Sequence, residues 1–150
     1  MSTAPPTLAP VAEVIVELGE PLDFGRTRDG IRRFTPILGG EVRGIPGTAA
    51  GEALRGLRAE ILPGGGDRQL VRPDGAVEID ARYDARAAEG ALIGLRATGV
   101  RRASADGVYF RVALRFETAD SALAELQDAL FIADGVREAD RVTHTVYRVS

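Results

Sequence analysis

The chain contains no cysteine, no lysine and no tryptophan, and only one histidine, His144. Without cysteine it can form no disulfide, no thiolate nucleophile and no sulfur-ligated metal site. Zinc sites draw most of their ligands from histidine and cysteine, so a single histidine argues against a zinc enzyme. The reading is of a protein that needs no metal and no cofactor. Any Ser-His-Asp arrangement would have to use His144. With lysine absent, all nineteen basic residues are arginine, a planar and permanently charged fork suited to carboxylates. Excess positive charge is missing too. The net charge is -3, which provides no field for nucleic acid. No apolar run approaches the ~20 residues of a membrane-spanning helix. The opening "MSTAPPTLAPVAEV" lacks the basic stretch and apolar core of a secretion signal. The expectation is a cytoplasmic protein that binds neither nucleic acid nor membrane.

What the sequence does contain is the material of one ordinary domain: 150 residues, 45% hydrophobic and 27% charged, enough for a real core. Residues 1–10 carry three prolines and read as a flexible arm, with residues 11–150 forming a single domain. β-branched and alternating runs dominate that domain. In "AVEIDARYDAR", Val77, Ile79, Ala81 and Tyr83 fall on one face and Glu78, Asp80, Arg82 and Asp84 on the other, which is the period of a strand. "GVYFRVALRFET" behaves likewise, and the Asp106-Gly107 pair before it is a hairpin signal. "GIRRFTPILGGEVRG" (30–44) reads as a strand kinked at Gly39-Gly40. "GEALRGLRAEIL" has helical spacing, but Gly56 weakens a helix by ~1 kcal/mol, which favours a strand over about 54–62. Only "TADSALAELQDAL" keeps a convincing helical period, with Thr118 or Asp120 available as cap, placing one short helix near residues 119–130. The sum is a mainly β chain: a small antiparallel barrel of about eight or nine strands with one short helix.

The densest run of glycines is "LPGGGDRQLVRPDG", residues 62–75. A phosphate-binding loop needs a following lysine and a helix whose N-terminus faces the phosphate. This chain has no lysine, and a strand follows. The glycines therefore read as a bent connection that needs close backbone approach or positive φ. Asp67 is not explained by the bend. Either it hydrogen-bonds the turn or it points into a pocket.

Taken in order, "GIRRFTPILGG", "LPGGGDRQLVRPDG", "EIDARYDARAAEGALI" and "VYFRVALRFET" resemble the blocks of the family called domain of unknown function 3237. The resemblance runs from about Val11 to the end. It implies a small antiparallel β-barrel with a largely unassigned biochemical role. The chain departs from the family in having "AELQD" in place of a tryptophan-containing pattern, Glu89 in place of aspartate, and Arg68 in place of an aromatic.

The blocks single out Arg32, Asp67, Asp80, Tyr83, Glu89, Arg111 and Glu117. Of these, Asp67 and Glu117 are the catalytic candidates, because a carboxylate in an apolar cavity has its pKa raised and can move a proton. Arg32, Tyr83, Glu89 and Arg111 are the candidates for binding substrate, Arg111 as a fork on a carboxylate or enolate. One arrangement brings Asp67, Arg111 and Glu117 together at a barrel rim. Each residue also has a plainer reading. Arg111, Arg115 and Glu117 would then form a solvent face whose ion pairs contribute ~0–1 kcal/mol. Tyr83 would be core packing, His144 an ordinary strand histidine, and the stripe Leu123, Leu126, Leu130 packing at the barrel end. Two functions remain. One is a cofactor-free enzyme of proton-transfer, isomerase, cyclase or lyase type acting on a small organic or acidic metabolite. The other is a barrel that binds such a ligand without chemistry. Association into a homodimer stays open.

Overall fold

The structure, a computed structural model, describes residues 4–46 and 54–150. Its strands are β1 (Leu8–Leu18), β2 (Leu22–Thr27), β3 (Gly30–Gly44), β4 (Arg58–Ile61), β5 (Gly65–Val71), β6 (Val77–Ala87), β7 (Leu92–Ser104), β8 (Gly107–Thr118), β9 (Leu130–Asp134), β10 (Val136–Arg137) and β11 (Arg141–Val149). A 3-10 turn at Ser121–Leu123 leads into one helical turn, α1 (Glu125–Asp128). Every strand pair is antiparallel. The order β1-β11-β9-β8-β7-β6-β4/β5-β3 returns from β3 to β1, so eight strand positions close a barrel and bury every edge among themselves. β4 and β5 are halves of one interrupted strand, each lying between β3 and β6. β2 extends the barrel wall alongside the start of β3, and β10 alongside the start of β11.

Alternation decides what fills the barrel. On β6, Ile79, Ala81, Tyr83, Ala85 and Ala87 are buried while Arg82, Asp84 and Arg86 are exposed. On β8, Phe110, Val112, Leu114 and Phe116 point inward and Arg111, Ala113, Arg115 and Glu117 outward. Phe116 meets Phe131 of β9 edge to face at 5.2 Å, a favoured aromatic geometry.

Gly39-Gly40 lies where the kink was expected. The β1–β3 register shifts between Glu17 and Leu18, and Gly40 has φ 132° with its α-carbon packed against the backbone of Ile15. The first strand starts earlier than expected, at Leu8, so Leu8–Pro10 belong to the wall rather than to an arm. Pro10 is tolerated because a register shift follows it. The strand expected over about 54–62 is confined to Arg58–Ile61, because the chain turns at Leu54, whose carbonyl accepts from the Leu57 N–H. Residues 47–53, just ahead of that segment, lie outside the described residues. The helix is shorter than its pattern. Asp120 caps the 3-10 turn by accepting from the Ala122 N–H, and Leu123 and Leu126 are buried. Leu130, however, is drawn into β9 and is 74% exposed, because pairing with β11 takes precedence over its helical spacing.

Candidate functional site

Between β4 and β5 the wall bulges. From the pair Glu41–Glu60 to the pair Ile37–Gly65, β3 spends three residues and the facing chain four. Gly64 takes φ 115° with open space around it, a conformation that glycine adopts without strain. Gly65 and Gly66 serve a different purpose. A Cβ on Gly65 would lie 2.8 Å from the Cα of Tyr83, and one on Gly66 would run into the Phe34 ring. The glycine stretch is thus a bulge pressed against β6 and Phe34. Directly after it, Asp67 turns its side chain into the barrel.

Asp67 is only 8% exposed. Its Oδ2 accepts from Gln69 Nε2 at 2.9 Å, and its Oδ1 from the Asp80 backbone N–H at 3.1 Å. The ladder between β5 and β6 is interrupted there, since Asp67 pairs with Ala81 and Leu70 with Glu78 and no pair intervenes. The carboxyl therefore fills a gap in the wall. Burial pushes its pKa up against the lowering effect of the two hydrogen bonds. One diagonal step away on the same inner face is Tyr83, 3% exposed. Its hydroxyl is buried with no hydrogen-bond partner. Burial, and then the charge of Asp67, hold the phenol protonated. A phenol left in this state costs ~1–3 kcal/mol relative to a satisfied one.

His144 also faces inward. It packs edge to face against Phe110 with centroids 5.6 Å apart, and its Nδ1 lies 2.7 Å from the Asp134 carbonyl. A carbonyl only accepts, so Nδ1 carries the proton and Nε2 keeps its lone pair. Burial lowers the pKa of the ring, opposed by that hydrogen bond. Arg33 and Arg101 take inner positions too, opposite Gln69 and Phe110 respectively.

Of the residues chosen from sequence, then, the barrel brings together Asp67 and Tyr83. The others lie elsewhere. Arg32 is on the outer side, donating to the Arg68 carbonyl at 3.3 Å. Asp80 points outward to Arg96 at 3.2 Å. Glu89 is exposed near the β6–β7 turn. Arg111 and Glu117 are exposed on the outer wall because their neighbours Val112 and Phe116 occupy the interior. The expected meeting of Asp67 with Arg111 and Glu117 does not occur, since the barrel wall lies between them. Glu117 instead flanks a groove of about 590 Å³ with Gly64, Gly65, Arg82, Gly94 and Arg115, a groove that Tyr83 also lines. Among the described residues no group of three or more His, Asp or Glu side chains is arranged to hold a metal, and no helix is long and apolar enough to cross a membrane.

Residues 6–149 match the family described as "Protein of unknown function (DUF3237)". The chain belongs to the DUF3237 family. A UPF0311 protein of Rhodopseudomonas palustris is 31% identical to it over 153 residues, covering 93% of this chain and 94% of the relative. The crystal structure of that R. palustris protein, described as conserved and of unknown function, superposes with a TM-score of 0.87, covering 99% of this chain and 100% of the other. A "PR-toxin biosynthesis cluster protein 7" of Penicillium roqueforti is 36% identical over 86 residues, which are 54% of this chain and 46% of the fungal one. An enzyme from Penicillium herquei has the same fold, with a TM-score of 0.73 at 15% identity over 100% of this chain and 98% of the other. The DUF3237 chain described here shares its closed barrel with both bacterial and fungal proteins.

Proposed function

We propose that this DUF3237 barrel takes up a small organic molecule at its inner face and moves a proton on it without a cofactor, in a reaction of isomerase or cyclase type. One observation carries the reading. A buried carboxyl group with a raised pKa stands beside a buried phenol that has no partner. Most buried polar groups are hydrogen-bonded, and those that are not need an explanation. A ligand oxygen that accepts from Tyr83 would supply the missing bond. Asp67 would be the proton donor and acceptor, because burial shifts it toward the range where acid and base forms are both accessible. The fungal relatives, one named for a biosynthesis cluster and one titled an enzyme, support small-molecule chemistry on this fold, although fold alone does not transmit activity.

A binding barrel without chemistry is the second reading. Both Asp67 oxygens already accept hydrogen bonds, from Gln69 and Asp80, as a structural carboxyl would. The test is a thermal-shift screen of small organic molecules, followed by incubation of each hit in deuterated water with proton NMR of the ligand. Proton transfer at carbon appears as deuterium wash-in or as product. In Asp67→Asn it should fall by ~100-fold or more, the usual scale for a general acid or base. Hits that bind but neither exchange nor convert would establish the binding reading instead.

A further inference from the structure

Several arginines of this barrel sit against carboxylates. Arg43 lies 3.1 Å from Glu13, Arg58 2.9 Å from Glu41, Arg96 3.2 Å from Asp80 and Arg148 3.0 Å from Glu125. Arginines such as Arg82, Arg86 and Arg115 form no salt bridge among the described residues but stand exposed on the outer wall, whereas three others without one gather at one end of the barrel. Arg101 occupies an inner position on β7 in line with Leu95, Ala97 and Gly99, and its guanidinium carbon lies 5.6 Å from the centroid of the Phe110 ring. Arg101, Arg137 of β10 and Arg102, which stacks on Tyr109 at 4.7 Å, line one depression of about 520 Å³ walled by Val77, Ala103, Val108 and Val136. Arg33 enters from β3 on the inner side. Among the described residues no carboxylate lies within 4 Å of any of the three, and every carboxylate salt-bridged to a described arginine belongs to another one. Arg101 is half-buried. Its pKa is lowered by burial and by the charge of Arg137, with Asp67 opposing and Arg33 adding to the depression. Like charges gathered in a partly desolvated place repel one another more strongly than they would in water. A compact anion would relieve that repulsion, and apolar walls suit an apolar ligand body.

We infer that this mouth binds the carboxylate of a small, largely apolar organic acid, with Arg101 as anchor, Arg137 reinforcing it in the same depression, Arg33 adding positive charge from nearby, and the valines enclosing the body. The inference deepens the proposed function by naming its substrate class, and it rests on that reading for the ligand's approach to Asp67. Arg101 supplies the charge that Arg111, outside the wall, cannot. A guanidinium stacked on an aromatic ring also gives a planar acid a flat surface. Bare phosphate could satisfy the charge but would leave the apolar walls without a partner.

The experiment is titration calorimetry of the full chain with benzoate, cyclohexanecarboxylate, benzamide and inorganic phosphate, in 50 mM and 500 mM salt. The inference expects the two organic acids to bind and benzamide and phosphate not to. Binding should weaken at high salt and fall by about 10-fold or more in Arg101→Gln. Arg137→Gln, at an exposed position, is the second variant and should weaken it by a smaller factor. Arg101→Gln should melt no lower than the parent, because it removes a repelled charge. Benzamide binding as well as benzoate, phosphate binding as well as either acid, indifference to both variants, or no binding by any probe would each overturn the inference. Asp67→Asn separates the two readings: it should leave benzoate affinity within about 3-fold while abolishing proton transfer on a true substrate. Binding that survives loss of Asp67 without any turnover in the parent would sink the acid–base reading and leave the anion site standing.

Discussion

Tyr83 lies one diagonal step from Asp67 on the barrel's inner face, and of the two only the carboxyl is hydrogen-bonded. A fold optimised for stability alone would place phenylalanine at position 83. Tyr83→Phe should therefore stabilise the protein by ~1 kcal/mol or more, since it removes an unsatisfied buried hydroxyl and leaves the ring packing intact. Urea unfolding measures this. A loss of stability would mean that the hydroxyl has a partner and that the proposed site lacks its open donor.

Asp67 gives a pH dependence with a definite sign. Its folded pKa is raised above the ordinary 3.8, so the folded state holds the proton more tightly than the unfolded one. The stability linked to this group is full below about pH 3.8 and is lost as pH rises through the folded pKa. Asp67→Asn cannot ionise, and Gln69 can reverse its amide to keep the hydrogen bond. Melting curves from pH 4 to 8 should show the variant gaining on the parent as pH rises and at least matching it at pH 8. A constant gap between the two across that range would contradict the assignment.

His144 acts in the opposite direction. Its folded pKa lies below 6.5 because burial disfavours the charged ring. The stability it contributes is complete above about pH 6.5 and is lost as pH falls through the folded value. In His144→Gln the slope of stability against pH between 6.5 and 5 should be shallower than in the parent, whatever the absolute change. Chemical unfolding at four or five pH values would show it, and an unchanged slope would place the titrating group elsewhere.

The glycines of the bulge should separate by mechanism. Gly65→Ala drives a methyl into the backbone of Arg82 and Tyr83 and should destabilise by ~3 kcal/mol or more. Gly64→Ala meets no neighbour and pays only for its positive φ, ~1–2 kcal/mol. Denaturant midpoints for the two variants check the order, and equal losses would refute the close approach of β5 to β6.

Much of this barrel was legible from sequence where the information is local. The alternation of Ile79, Ala81 and Tyr83 against Arg82 and Asp84 identified β6 and put Tyr83 on the apolar face. The Gly39-Gly40 kink was equally visible in its β3 strand. Arg111 and Glu117 were misplaced because resemblance to family blocks was given more weight than their own strand, whose apolar set Phe110, Val112, Leu114 and Phe116 claims the interior. Arg101 was missed because in "GVRR" two adjacent arginines look alike. Only counting in twos from Leu95 through Ala97 and Gly99 shows which one points inward. The same ambiguity in "GIRR" hid Arg33. Gln69, and the gap that Asp67 fills, depend on pairing between β5 and β6, which no local pattern encodes.

The most direct measurement is a carbon-detected NMR titration that follows the Asp67 carboxyl and the Tyr83 ring while a ligand retained from the screen is added. The account predicts that both signals move together, with the same midpoint, while Glu117 and Arg115 on the outer wall stay still. Perturbation of Glu117, Arg115 and Arg82 with Asp67 unmoved, whether or not Tyr83 shifts, would contradict it and assign binding to the groove that those residues line.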